Sequence, residues 1–318
     1  MADILGQDRT IRALRLALKD RAVAHAYLFY GPQGSGKKKL GSFFARALNC
    51  AVFPEGPCDS CHSCLRIAAG NHPDIHMVQP EGKSLKIHQV RQVKKLVSFS
   101  PRDARYHVFI LDATATVTPE AANSLLKILE EPPANTVFIV LSENLETLPP
   151  TIVSRCQLFP LLRVSANELL GLLENSGLDG QQKELAVSLA EGIPGRALEA
   201  ANGNWQELFT EAFSLLNMLP QCSSISALAG KLAEKKDIDV FIDIFITLLR
   251  DLLVLKLTGE REALVCGVRF AEFEELSHKW DAGMARRALE AFIVLQDNLR
   301  SPVNVRLAME QALRCIGV

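Results

Sequence analysis

The chain has almost no excess of charge of either sign: 35 Lys plus Arg stand against 36 Asp plus Glu, a formal net charge of -1. No global field therefore points to a nucleic acid or a membrane surface, and any contact with DNA has to be local. A basic or aromatic stripe is also missing, which weighs against a stand-alone nucleic-acid-binding module. There is no uninterrupted apolar run of membrane length. The longest tract, Asp239 to Leu257, is broken by Asp243, Arg250 and Asp251 and reads as a buried amphipathic helix, so no membrane partner is expected. The opening MADILGQDRT is polar where a secretory leader would be apolar, and a cytoplasmic protein is expected. Internal repeats and low-complexity linkers are absent as well.

Cysteine is present but unevenly spread. Cys50, Cys58, Cys61 and Cys64 fall within fifteen positions in the spacing C-x7-C-x2-C-x2-C, while Cys156, Cys222, Cys266 and Cys315 are scattered. In a reducing compartment such clustering favours a metal over disulfides, and four thiolates at these spacings can close a tetrahedral Zn2+ site with no open position for catalysis. His62 and His72 lie close enough in sequence to replace a thiolate, but the complete set of four cysteines makes that unnecessary.

The first half alternates short apolar runs with helical patterns. AYLFYG (26–31), YHVFILD (106–112) and TVFIVLS (136–142) are continuous runs of the kind found in strands buried on both faces. Between the last two, Thr118 is a candidate N-cap, Pro119 a first helical residue, and Ala122, Leu125, Leu126 and Leu129 share one face before Pro132 and Pro133. Strand, helix and strand joined by short connections predict a parallel sheet. After about residue 162 no strand-like run returns. A capping box of Ser165 and Glu168 opens a helical segment closed at Gly177, the start of a small helical unit that ends near EAANGN (199–204), and from Trp205 onward the chain reads as helical, with loops at 219–224, 258–261 and 300–304.

The segment GPQGSGKKK (31–39) nearly fits the phosphate-loop pattern G-x-x-x-x-G-K-[ST]: Gly31, Gly36 and Lys37 match, with Gly34 as a further glycine of the turn. Its place between a strand and a helix suits a loop whose N–H groups cradle phosphate oxygens. What it lacks is the hydroxyl that would hold Mg2+, because Lys38 stands there. A second shortage lies in VFILDATA. Asp112 ends a strand where a metal-holding acid would be, but Ala113 occupies the position of the glutamate that would orient the attacking water. Loss of that base forfeits about 10²–10⁴ in rate, roughly 3–5 kcal/mol. The loop is expected to bind ATP or ADP, if at all, without efficient hydrolysis.

The runs HAYLFYGPQGSGKKK, CDSCHSC, NHPDIHMVQPEGKSLKIHQVRQV, ANSLLKILEEPP and LPPTIVSRC together resemble the clamp-loader subunits of bacterial DNA polymerase III, strongly over residues 1 to about 200 and more weakly in the C-terminal part, where NVRLAMEQALRCI is similar to a collar helix. The resemblance implies an α/β P-loop (AAA+) domain with a parallel sheet over 1–162, carrying the four-cysteine zinc module (50–64), then a small helical lid domain (163–204) and an all-α C-terminal collar domain (205–318). It implies a subunit of a five-membered ring that loads a sliding clamp onto primed DNA at the bacterial replisome, with gamma/tau motor subunits and a delta subunit as partners. Arg155, in Ser154-Arg155-Cys156, matches the arginine donated in trans to a neighbour's ATP site. From the residues alone it could equally cap a short helix or pair with a surface acid. Ser142 matches the residue that senses the γ-phosphate, or else caps the following helix; Arg196 matches the lid arginine of a second sensor, or else is a solvated first-turn residue. The basic positions Arg91, Lys94, Lys95, Arg102 and Arg105 are candidates for DNA phosphates, or simply a solvated face. An active motor subunit is the alternative, opposed by Lys38 and Ala113.

Overall fold

The computed structural model describes residues 4–316 apart from 83, 115, 222–223 and 300–302. Cys222 and parts of the expected loops at 219–224 and 300–304 lie outside the described residues. The chain forms two compact units, one of residues 1–165 with 193–195 and one of 166–192 with 196–318.

The first unit contains α1 (Asp8–Lys19), β1 (Ala26–Tyr30), α2 (Lys37–Leu48), α3 (His62–Ala68), β2 (Ile75–Val78), β3 (Ser84–Leu85), α4 (Ile87–Val97), β4 (His107–Asp112), β5 (Thr116–Val117), α5 (Pro119–Glu130), β6 (Thr136–Ser142), α6 (Pro150–Val153) and β7 (Gln157–Pro160). Five strands form one sheet in the order β2-β4-β6-β1-β7, with every pairing parallel; β3 and β5 pair separately.

The three central strands are those whose sequences are continuously apolar, because helices cover both faces. Alternate side chains divide between two cores. Leu28, Phe109, Leu111, Phe138 and Val140 pack with α4 and α5 residues such as Val90, Val93 and Leu125. Tyr27, Phe29, Val108, Ile110, Ile139 and Leu141 pack with Leu14, Leu40, Phe44 and Leu48 of α1 and α2. On α5 the Thr118 hydroxyl accepts the Ala121 N–H at 3.3 Å, and Pro119 opens the helix as expected. Its buried stripe is Ala121, Ala122, Leu125, Ile128 and Leu129, with Leu126 only partly buried.

The second unit is helical: α7 (Ala166–Leu172), α8 (Gly180–Ala190), α9 (Pro194–Asn202, from Arg196 on), α10 (Trp205–Met218), α11 (Ile225–Ala233), α12 (Ile238–Thr258), α13 (Phe270–Ser277), α14 (Ala282–Leu299) and α15 (Val305–Arg314). The apolar tract forms α12, whose Phe245 ring meets Phe292 of α14 at 4.6 Å between centroids. Asp251 on α12 is fully buried rather than on a polar face, and its carboxylate accepts the Val265 N–H at 2.9 Å and the Cys266 N–H at 2.6 Å. Among the described residues no helix is long and apolar enough to cross a membrane.

Candidate functional site

In a parallel open sheet, ligands gather at the carboxyl ends of the strands. Tyr30 of β1 pairs in register with Ser142 of β6, and Leu141 with Asp112 of β4, so the loop after β1, Ser142 and Asp112 emerge side by side at one end. Gly34 and Gly36 have φ of +82° and +95°, a region that favours glycine and that phosphate-binding nests draw on. Gly36 then caps α2. Gly31 is held differently: a Cβ there would lie 2.6 Å from the Leu161 carbonyl oxygen, so the chain after β7 closes against the loop's first residue.

Lys37 is buried and donates to the carbonyls of Gly31 at 2.7 Å and Pro32 at 2.9 Å. Burial pushes its ammonium below the usual lysine range, opposed by Glu143 and Asp112. Lys38, by contrast, reaches across to the acid at the end of β4, where its Nζ lies 2.8 Å from Asp112 Oδ2. The other carboxylate oxygen accepts the Thr114 hydroxyl at 2.6 Å and the Thr114 N–H at 3.3 Å. Burial works against ionisation of Asp112, but the Lys38 ammonium and the Thr114 donors outweigh it and hold the carboxyl below its ordinary value. Magnesium requires near-octahedral oxygen ligation, with a hydroxyl and a carboxylate among its usual partners in such loops. Here the residue in the hydroxyl position is a cation already bound to the carboxylate, so the residues present do not fit that metal.

Two further positions were not anticipated. Gly195 donates its N–H to the Gly34 carbonyl at 2.9 Å, and a Cβ on Gly195 would sit 2.6 Å from Gly34 Cα. Residues 193–195 thus press directly on the phosphate loop; the only signal was a glycine after proline in IPGR. Thr114, which locks Asp112, carried no signal beyond its spacing two residues on.

Ser142 is fully buried. Its hydroxyl donates to the Asn144 carbonyl at 2.7 Å and shares a hydrogen bond with Thr147 Oγ1 at 2.8 Å, so it ties the turn after β6 rather than capping the following helix, which starts at Pro150. Arg196 lies in the second unit, ion-paired with Asp243, which also accepts from Gln296. Arg155 follows α6 and is about one-third exposed. One guanidinium nitrogen donates to the Thr151 carbonyl at 2.9 Å and the other lies 2.6 Å from Glu130 Oε1, at the end of α5. The basic positions Arg91, Lys94 and Lys95 line the exposed face of α4, and Arg102 and Arg105 are exposed beyond it, Arg105 lying 4.0 Å over the Phe53 ring.

The four clustered cysteines come together. The Sγ atoms of Cys50, Cys58, Cys61 and Cys64 all lie within 4.8 Å of one another, compatible with the roughly 3.8 Å edge of a tetrahedron with Zn–S of about 2.3 Å. Neither His62 nor His72 belongs to this group. Backbone N–H groups of Cys58, Cys61 and Cys64 point at the sulfurs of Cys50, Cys58 and Cys61 at 3.3, 3.3 and 3.5 Å, the donors that thiolate ligands attract. The Ser60 hydroxyl and nearby N–H groups bring the Cys58 thiol down to about 6, whereas burial pushes Cys64 up to about 12. Gly56 is required for the fold of this loop, since a Cβ there would lie 2.4 Å from Cys50 Cβ. The residues present therefore fit a four-thiolate metal centre.

The chain is similar along most of its length to a DNA polymerase III subunit delta' of Bacillus subtilis, with 26% identity over 310 residues, covering 96% of this chain and 94% of that one. To the DNA polymerase III subunit tau of the same organism it is 33% identical over 216 residues, covering 68% of this chain and 37% of the other. In fold it is similar to a DNA polymerase III gamma subunit-related protein from Thermotoga maritima, with a TM-score of 0.50, 19% identity and coverage of 98% of both chains. A family model described as DNA polymerase III, delta subunit, matches residues 6–175, and one for the C-terminal part of that subunit matches residues 203–316. The chain belongs to this DNA polymerase III delta-subunit family and is a clamp-loader subunit by descent.

Proposed function

We propose that this chain is the delta-prime-like stator of a bacterial clamp loader: a cytoplasmic ring subunit that does not turn over nucleotide itself and donates Arg155 to the ATP site of a neighbouring motor subunit. The observation that carries this reading is the 2.8 Å pair between Lys38 and Asp112, because an ion pair fills the two positions from which a hydrolysing site holds its metal. With Ala113 in the place of the water-orienting glutamate, the site has neither a metal nor a base. Arg155 remains useful, because a finger supplied in trans stabilises charge on the transferred phosphoryl group and is worth about 10³–10⁵ in rate.

Head-to-tail rings use two different faces of every subunit. In our reading the phosphate-loop face of this chain meets the delta subunit and the Arg155 face meets a gamma/tau motor, in a heteropentamer that loads the sliding clamp onto primed DNA. Residues 163–204 act as a lid and 205–318 as the collar that holds the ring together. Cys50, Cys58, Cys61 and Cys64 hold a structural Zn2+, and Ser142 and Arg196 keep the places of nucleotide sensors in a site that no longer senses hydrolysis.

A motor-subunit reading draws on the higher identity to tau, 33%, but that likeness stops after 216 residues while the delta' likeness spans 310. The test is reconstitution with the motor and delta subunits of the same organism. One copy of this chain per ring, no ATP turnover by the isolated chain, and a ring whose turnover collapses when Arg155 is removed are expected. Turnover by the isolated chain that depends on Lys37 would overturn the reading.

A further inference from the structure

The misfit between this loop and magnesium has a consequence for what the loop binds. We infer that it holds the diphosphate of a nucleotide without a divalent cation, with the Lys38 ammonium supplying the positive charge that a metal supplies elsewhere. This rests on the degenerate-site reading above and deepens it, since a site without hydrolysis need not be a site without ligand.

Three observations converge on the loop. The first is the disposition of charge. Lys37, Lys38 and Lys39 all lie in the first turn of α2, a helix of 12 residues with no acid in that turn. Cations at a helix N-terminus face the positive end of its dipole, an arrangement that an anion seated on the loop relieves. Only Lys38 is ion-paired among the three in the described structure, and its side chain is 54% exposed, so the ammonium can lean toward a ligand while staying on Asp112. The second is Ser35, inside the loop between Gly34 and Gly36. It is 3% exposed, and its hydroxyl is buried without a hydrogen-bond partner among the described residues. A buried hydroxyl left unsatisfied is costly, and a phosphate oxygen in the cradle is an acceptor of the right kind. The third is Asp112, whose two oxygens are engaged by Lys38 at 2.8 Å and by the Thr114 hydroxyl at 2.6 Å. A divalent ion has to displace the ammonium to reach that carboxylate, whereas a diphosphate binds alongside it.

Charge explains why the diphosphate is the fitting ligand. Lys38 offers a half-exposed ammonium to the loop, and Lys37 a second cation that exchanges its Gly31 and Pro32 carbonyl partners, at 2.7 and 2.9 Å, for phosphate oxygens. Backbone N–H groups do the remaining work, as in other phosphate nests. No bond is made or broken in this step.

The test is titration calorimetry of the full chain with ADP, once in Mg2+ and once in EDTA. Dissociation constants that agree within about threefold are expected, equivalent to well under one tenfold step of affinity. Tightening by Mg2+ of about tenfold or more would overturn the inference, as would no saturable ADP binding up to about 1 mM. Lys38→Met keeps the stem and removes the charge; it is expected to weaken ADP binding in EDTA by about tenfold, with no recovery in Mg2+, as for loss of one charged partner. Lys38→Thr restores the hydroxyl and frees Asp112, and ADP binding by this variant is expected to become Mg2+-dependent. Binding by Lys38→Met in EDTA equal to that of the parent chain would contradict the role given to the ammonium. A loop that binds no ADP leaves the stator reading standing while this inference falls; Mg2+-dependent turnover by the isolated chain sinks both.

Discussion

Two ends of the same unit carry the residues that matter, and they differ in how their charges are used. At the phosphate loop, Lys37 is buried on backbone carbonyls and Lys38 is joined to a buried Asp112, so the ionic groups are partnered within the subunit. At the turn after α6, Arg155 is partly exposed and held by a surface glutamate, the Thr151 carbonyl and the Ser154 hydroxyl. Breaking the half-buried Lys38–Asp112 pair is expensive on one side, because separation strands the Asp112 carboxylate away from water. An exposed pair contributes about 0–1 kcal/mol and can be exchanged for another partner. The first arrangement suits a fixed structural face and the second suits a group that is handed to a neighbour.

The contrast can be broken most severely at Arg155. In the assembled loader, Arg155→Lys keeps the charge but loses the planar fork, and most of the about 10³–10⁵ of a finger's worth is expected to disappear from the adjacent motor site, read as single-site ATP turnover. Next comes an attempt to restore the other end. Lys38→Thr combined with Ala113→Glu returns a metal-binding hydroxyl and a water-orienting acid, and turnover by this chain is expected to rise by about 10² or more. No rise would mean that something besides these two residues silences the loop.

Smaller effects probe the supports. Gly195→Ala forces a methyl into Gly34, at 2.6 Å from its Cα, and is expected to cost about 1–3 kcal/mol in denaturant titration of the first unit. Acid sharpens the role of Lys38. Because the folded-state carboxyl of Asp112 lies below its ordinary value, its contribution is present above the unfolded pKa of about 3.9 and is lost as pH falls through the folded value. Removing the ammonium with Lys38→Met raises that folded value, so acid unfolding followed by circular dichroism is expected to begin at higher pH than in the parent chain. The mildest change is Glu130→Gln, which releases Arg155 from its 2.6 Å partner. Since such exposed pairs are worth at most about 1 kcal/mol, loader turnover is expected to change by no more than about fivefold.

Much of the first unit was legible in the sequence for a physical reason. Strands covered on both faces have to be apolar at every position, and β1, β4 and β6 are. β2 and β7 were not legible, because they are four-residue edge strands whose outer side meets solvent; Leu158 of β7 is 42% exposed. In the site, the spacing of glycines and cysteines carried the loop and the four-cysteine cluster, since both are local. The Lys38–Asp112 pair joins residues 74 positions apart, and the Gly195–Gly34 contact spans 161; both depend on the register of parallel strands and the path of the chain after the sheet, which no local pattern encodes. Ser142 shows the limit of motif reasoning from the other side, because its hydroxyl serves its own turn. Glu130 became visible only as the acid that Arg155 meets.

The most direct measurement is clamp- and DNA-stimulated ATP turnover by the reconstituted loader, with Arg155→Ala and Lys37→Ala introduced separately into this chain alone. A loss on the order of 10³ from Arg155→Ala and almost none from Lys37→Ala is expected, as for a subunit that completes its neighbour's site and has none of its own to run. A large loss from Lys37→Ala, with Arg155→Ala close to the parent, would contradict the stator reading.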